Sequence, residues 1–246
     1  MSTDQKQVAV VIGVGASNGV GAAVARRYAR EGFHLVLAGR TASGLDLVRD
    51  EIDTAGGSAE SVVTDATVEA DVDALIAHAD ALPGGLGAAI YNVGNNRRGK
   101  LDDLDMATFE QSWRENAWGG AIFAKAVARA MRPRGRGTMI FTGATASLRS
   151  RPPFMPFASA KAALRAVAQA TARELGPDGI HVGHVVIDGG IRGEKLLSAF
   201  PDRAASAGEG GLLDPDDIAE AYWALHAQPR TAWTFELDVR PWKENW

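Results

Sequence analysis

Val8-Ala9-Val10-Val11-Ile12 runs through Gly13-Val14 into Gly15-Ala16-Ser17-Asn18-Gly19-Val20-Gly21, and Ala22-Ala23-Val24-Ala25-Arg26-Arg27-Tyr28-Ala29 follows. A continuous apolar run bounded by glycine reads as a strand buried on both faces of a parallel sheet. Glycine permits positive φ and lets the backbone approach a ligand closely. The free N–H groups at the start of the following helix attract an anion. Many turns collect glycine for steric reasons alone. Here the strand before and the helix after give the turn its meaning, a cradle for pyrophosphate built from Gly15, Ser17, Asn18, Gly19, Val20 and Gly21.

The next apolar run, His34-Leu35-Val36-Leu37-Ala38, ends in Gly39-Arg40. An acidic residue about 20 positions beyond the glycine turn would bind an adenosine ribose 2′-hydroxyl. Arg40 instead offers a planar, permanently charged fork suited to a 2′-phosphate. The expected cofactor is therefore NADP(H) in preference to NAD(H). The alternative is an ordinary surface arginine at a strand end.

Outward from this unit, apolar runs and helical patterns alternate. Strands are expected at residues 8–12, 33–38, 59–64, 88–92, 138–142, 181–187 and 234–239. Helices are expected at 21–31, 45–55, 68–81, 107–131, 157–175 and 216–226, the last with Asp214 as cap and Pro215 in its first turn. This order predicts an α/β protein, a doubly wound parallel sheet of Rossmann type with helices on both faces. With 246 residues and 46% apolar composition, the chain is read as one domain over 1–246.

These residues resemble the short-chain dehydrogenase/reductase family over nearly the whole chain, from about residue 8 to 239. Gly15, Gly19 and Gly21 match its Gly-x-x-x-Gly-x-Gly turn. Asp65 matches the aspartate set against adenine, and Asn92 and Gly94 keep half of its Asn-Asn-Ala-Gly segment. Asn116 matches the helix asparagine that supports a proton-relay water, and Lys161 the lysine that holds the nicotinamide ribose. The resemblance implies an NADP(H)-dependent oxidoreductase moving hydride to or from a small organic substrate. It also implies a homodimer or homotetramer built through the helices at 107–131 and 157–175.

The departures from the family cluster at the chemistry. In Phe157-Ala158-Ser159-Ala160-Lys161, residues i and i+4 share one helix face, and the family's acid tyrosine stands at the first position. Here it is Phe157, which has no proton to give. Ala144 stands near the position of the serine that orients the tyrosine, and Gly193 replaces a threonine that contacts the nicotinamide. Ser147, Thr145, Thr142 and Ser159 are the substitute hydroxyls, Ser147 foremost. The competing reading is a catalytically inactive protein that keeps the fold, and with it the cofactor, for binding or regulation.

Residues 194–213 fall where the family has a mobile lid, and Leu196, Leu197 and Phe200 could close over an apolar substrate. A short amphipathic helix with a flexible loop is the alternative. Arg97, Arg98 and Lys100, with Arg149 and Arg151, would make one side of the pocket cationic if they converge; a solvated loop is the simpler reading.

Composition narrows the partners. A net charge of -4 gives no global argument for nucleic acid or an anionic membrane. The polar start and the absence of a long apolar run lead to an expected cytoplasmic location. Zero cysteines exclude disulfides and thiolate metal sites, and the five histidines show no metal-binding spacing. Trp242 and Trp246, near the carboxyl end, are expected to pack on the domain or on a neighbouring subunit.

Overall fold

β1 (Val8–Ile12) is buried along its whole length, because its odd and even side chains enter two different cores. Val8, Val10 and Ile12 face one side of the sheet, while Ala9 and Val11 face the other. In this computed structural model, which describes residues 6–244, seven strands form one sheet in the order β3-β2-β1-β4-β5-β6-β7. The others are β2 (His34–Gly39), β3 (Ala59–Val63), β4 (Leu86–Tyr91), β5 (Gly137–Thr142), β6 (Ile180–Ile187) and β7 (Glu236–Val239). Every pairing is parallel, so the sheet must be covered on both faces.

One face packs against α3 (Glu69–Ala81), α5 (Gly119–Met131) and α6 (Met155–Leu175) through Leu75, Phe123 and Leu164. The other packs against α1 (Val20–Arg30), α2 (Ala42–Thr54) and α9 (Pro215–His226) through Val24, Val48 and Tyr222. The single doubly wound domain expected from the alternation is what forms. No helix among the described residues is long and apolar enough to cross a membrane.

The boundaries differ where side chains take over backbone bonds. The helix expected at 107–131 is instead α4 (Met106–Trp113), a π-turn at Arg114–Trp118, and α5. Asn116 Nδ2 donates to the Ser112 carbonyl at 2.9 Å, the acceptor that a regular helix reserves for the Asn116 backbone N–H. Such π-turns often mark functional sites. β7 begins at Glu236 rather than 234, because Thr234 N donates to Gln228 Oε1 at 2.7 Å and leaves the ladder. Residues 194–213 contain α7 (Glu194–Ala199) and α8 (Pro201–Ala207), two short helices followed by a turn. Trp242 is 80% exposed, so it does not pack into its own domain as one of the two expected arrangements required. Trp246 lies outside the described residues.

The sheet reverses its winding between β1 and β4, and there the strand ends part to leave a crevice. Gly13, at φ +96°, makes this possible: a Cβ there would sit 2.6 Å from the Asn92 carbonyl carbon. Gly13→Ala should therefore lower the free energy of unfolding in urea by about 2–5 kcal/mol, combining left-handed strain with a forced backbone shift. Gly32→Ala, also at positive φ but with open space around it, should cost only about 1–2 kcal/mol. Equal losses would show that the close approach to β4 is not what Gly13 serves.

Candidate active site

The crevice at the carboxyl ends of β1, β4, β5 and β6 is a cleft of about 720 Å³. Its floor is fastened by Asn92, just past β4. Asn92 Nδ2 donates to the Gly13 carbonyl at 3.1 Å, and its Oδ1 accepts from Thr142 Oγ1 at the end of β5, also at 3.1 Å. One side chain thus sets the spacing of three strands at the point where a ligand would enter.

Gly15, Gly19, Val20 and Gly21 line one end of the cleft. A Cβ on Gly15 would meet nothing within 4 Å, so the space above this turn is left open by the protein and fits a close-lying pyrophosphate. Ser17 and Asn18 belong to the same turn but do not line the cleft. Ser17 Oγ donates to Glu51 Oε1 at 2.5 Å, which turns it toward α2. Asn18 Oδ1 accepts from the Glu194 N–H at 3.0 Å, which ties the turn to the start of α7.

Toward the other strand ends, Arg40 and Asp65 line the cleft with Glu115. Arg40 is 71% exposed in its side chain, and its Nη1 stands 3.8 Å from Glu115 Oε1. Glu115 was not singled out by sequence, yet it gathers Asn95, Arg97 at 3.2 Å and Gln111 at 2.8 Å. Burial pushes its carboxyl up, but the donors from Gln111, Arg97 and Asn95 outweigh that and hold it below the usual range. Asp65 is held low mainly by the Thr67 N–H; burial opposes this, and the Thr67 hydroxyl and Arg40 add smaller contributions that lower it.

The centre of the cleft brings Gly94 and Lys161 together, with Asn116 just behind. A Cβ on Gly94 would lie 2.8 Å from Asn116 Oδ1 and 3.1 Å from Lys161 Nζ, so only glycine fits between them. Asn116 is fully buried and does not itself line the cleft; its Oδ1 has no hydrogen-bond partner among the described residues. Lys161 Nζ donates to the Thr142 carbonyl at 2.7 Å, and the residue is 4% exposed. Burial, and then the nearby Lys195 ammonium, lower its pKa to about 7. Phe157, one helical turn before it, lines the same cleft.

On the loop after β5, the hydroxyls separate. Ser147 is 6% exposed, its Oγ accepts from the Ala144 N–H at 3.1 Å, and it is not part of the cleft wall. The structure thus corrects the preference for Ser147: a 3₁₀ turn at Thr145–Ser147 directs its hydroxyl back to its own loop. Ala144 and Thr145 do line the cleft. Thr145 Oγ1 donates to Asp188 Oδ1 at 2.5 Å, and Arg149 Nη2 to Asp188 Oδ2 at 2.9 Å. Asp188 follows β6 and was passed over in the sequence. The signal for it was a lone carboxylate directly after an eight-residue run ending a strand.

Gly193, Lys195, Leu196 and Phe200 belong to the wall that follows β6, whereas Leu197 does not line the cleft. Among the described residues no group of histidine, aspartate and glutamate is arranged to hold a metal.

A family model described as short chain dehydrogenase matches residues 7–195, well over half of the chain. An uncharacterized oxidoreductase of Staphylococcus aureus (strain MRSA252) is 29% identical over 96% of this chain and 97% of its own length. The chain spans only 31% of the length of an uncharacterized oxidoreductase, YuxG, of Bacillus subtilis, to which it is 28% identical over 88% of its own residues. Among solved structures, a short-chain dehydrogenase from Rhodopseudomonas palustris is 36% identical with a TM-score of 0.82, over 96% of this chain and 100% of that one. A metagenomic short-chain oxidoreductase in complex with NADP is 28% identical, TM-score 0.81, over 96% and 97%. A 7α-hydroxysteroid dehydrogenase complexed with NADH is 26% identical, TM-score 0.86, over 96% and 93%. With the parallel sheet, the glycine turn and the cleft beside them, this places the chain in the short-chain dehydrogenase family.

Proposed function

We propose that the protein is an NADP(H)-dependent oxidoreductase that moves hydride to or from a small organic substrate without a tyrosine acid. The observation that carries this reading is a cleft intact from the glycine turn to Lys161, with an apolar Phe157 at the acid's position. In this reading Gly15, Gly19, Val20 and Gly21 hold the pyrophosphate, while Ser17 and Asn18 support the turn from behind. Arg40 binds the 2′-phosphate, Asp65 lies against adenine, and Asn92, Gly94 and Lys161 hold the nicotinamide ribose. Asn116, whose Oδ1 lies beside Gly94, supports a proton-relay water in this reading. The bound cofactor supplies the hydride.

Losing a positioned acid removes about 10²–10⁴-fold in rate, or about 3–5 kcal/mol of barrier. Holding donor and acceptor together can contribute about 7–11 kcal/mol, so hydride transfer survives the loss. The substrates best served are those needing no strong acid, such as iminium ions or activated C=C bonds. Where a proton is needed, solvent supplies it, since the Thr145 hydroxyl already donates to the Asp188 carboxylate and Ser147 does not line the cleft. We further assign a cytoplasmic homodimer or homotetramer, built through α4, α5 and α6. Trp113 and Trp118, 41% and 40% exposed near that surface, support an interface there. The competing reading, a cofactor-binding protein without catalysis, is favoured by the joint absence of tyrosine, serine and threonine at Phe157, Ala144 and Gly193.

The absent phenol also leaves Lys161 buried without an acidic partner. A lysine whose folded pKa is about 7, against 10.5 unfolded, carries a charge penalty that is full below pH 7 and gone above 10.5. Lys161→Met should accordingly be more stable than the parent by a few kcal/mol at pH 6, with the difference shrinking as pH rises toward 10. A constant difference across that range would mean that Lys161 keeps its proton when buried.

Arg40→Ala should weaken NADPH binding by tenfold or more and leave NADH binding within about twofold, consistent with loss of a charge-assisted fork. Equal losses in a fluorescence titration would remove Arg40 from the 2′-phosphate site. Phe157→Tyr should raise ketone reduction by roughly 10²-fold or more, within the range of general acid catalysis. No gain, with NADPH still bound, would favour the non-catalytic reading.

A further inference from the structure

We propose that the substrate carries a carboxylate, seated by Arg98 and Arg151 at the mouth of the cleft. The inference rests on the oxidoreductase reading, whose substrate would occupy the space beside Phe157. Arg98 follows β4 and Arg151 precedes α6, far apart in sequence. Their segments are brought together where Gly99 bridges to Phe154, with the Gly99 N–H donating to the Pro153 carbonyl at 2.8 Å and the Phe154 N–H to the Arg151 carbonyl, also at 2.8 Å. Both side chains line the cleft.

The Arg98 guanidinium carbon lies over the Phe154 ring at 4.8 Å and over the Phe200 ring at 4.9 Å. Two rings against one guanidinium restrict where it can lie. Its planar fork of N–H groups suits bidentate pairing with a carboxylate. Neither Arg98 nor Arg151 forms an ion pair among the described residues, whereas Arg149, on the same loop, is already paired with Asp188 at 2.9 Å. Lys195, also without an ion pair among the described residues, adds a third cation to the wall, near enough to Lys161 to lower its pKa. Of the other carboxylates that line the cleft, Glu115 is held by Arg97 and Arg40, Asp65 by Thr67, and Glu244 stands at Gly189 beyond β6, while Glu194 adjoins Lys195 in the chain; none forms an ion pair with Arg98, Arg151 or Lys195 among the described residues. The mouth is therefore cationic, rimmed by aromatic rings that suit the body of an organic acid.

The test uses the NADPH-loaded protein and three matched pairs: benzoylformate, phenylpyruvate and levulinate, each against its methyl ester. Saturation-transfer NMR and competition give the affinities. At least one acid should bind tenfold or more tightly than its ester, and Arg98→Gln or Arg151→Gln should bring that pair to within about twofold. NADPH affinity should not change, since neither residue holds the cofactor. Ester binding equal to or better than acid binding in all pairs, no acid binding at all, or a preference that survives both substitutions would overturn the proposal. Arg151→Gln, on an exposed loop, keeps the test available if Arg98→Gln unfolds the rim. If NADPH fails to bind, the oxidoreductase reading falls. The acid and ester pairs, repeated on cofactor-free protein, still decide the carboxylate subsite.

Discussion

Everything about the cleft depends on the strands being held apart at one place, and the Asn92 side chain does it. A parallel sheet that winds both ways from β1 and β4 has strand ends there without a covering crossover. Left to themselves, such ends expose carbonyls and N–H groups that cost free energy when buried unpaired. Asn92 answers with one amide, donating to Gly13 and accepting from Thr142. Thr142 in turn shares its hydroxyl with Tyr222 at 2.7 Å, which carries the fastening to α9 on the far face of the sheet. Its carbonyl holds Lys161 at 2.7 Å. The position of the one buried amine in the cleft is thus inherited from the spacing of the strands.

That inheritance explains which parts of the molecule can be read from sequence. β1, β2 and β6 are legible because both faces are buried, and burial on both faces writes itself as an unbroken apolar run. The glycine turn is legible because steric permission is a property of the residue itself. The π-turn is not: it follows from Asn116 Nδ2 outcompeting its own backbone for the Ser112 carbonyl, a local contest that residue type does not decide. Nor is the choice among the hydroxyls after β5. Thr145 and Ser147 are two residues apart, and only the tight turn between them sets Thr145 toward Asp188 and Ser147 toward Ala144. Arg98 reads as part of a solvated basic run until Phe154 and Phe200 arrive from distant segments to cover its faces.

On the proposed reading, a benzyl ring where a phenol would stand changes more than the supply of a proton. A neighbouring phenolate would give a buried ammonium a countercharge; a ring edge does not. Lys161 retains only a neutral carbonyl, and Lys195 repels it from across the cleft. With its pKa lowered to about 7, the amine gives up its charge near neutral pH, so the fixed positive charge in this part of the cleft comes from the arginines at its mouth.

Asn18 links the two ends of the cleft. Its Oδ1 holds the first N–H of α7 at 3.0 Å, while its own backbone belongs to the glycine turn. The wall that carries Lys195, Leu196 and Phe200 therefore starts from the glycine turn as much as from the end of β6. A single amide thus makes the shape of one end of the cleft a condition of the other.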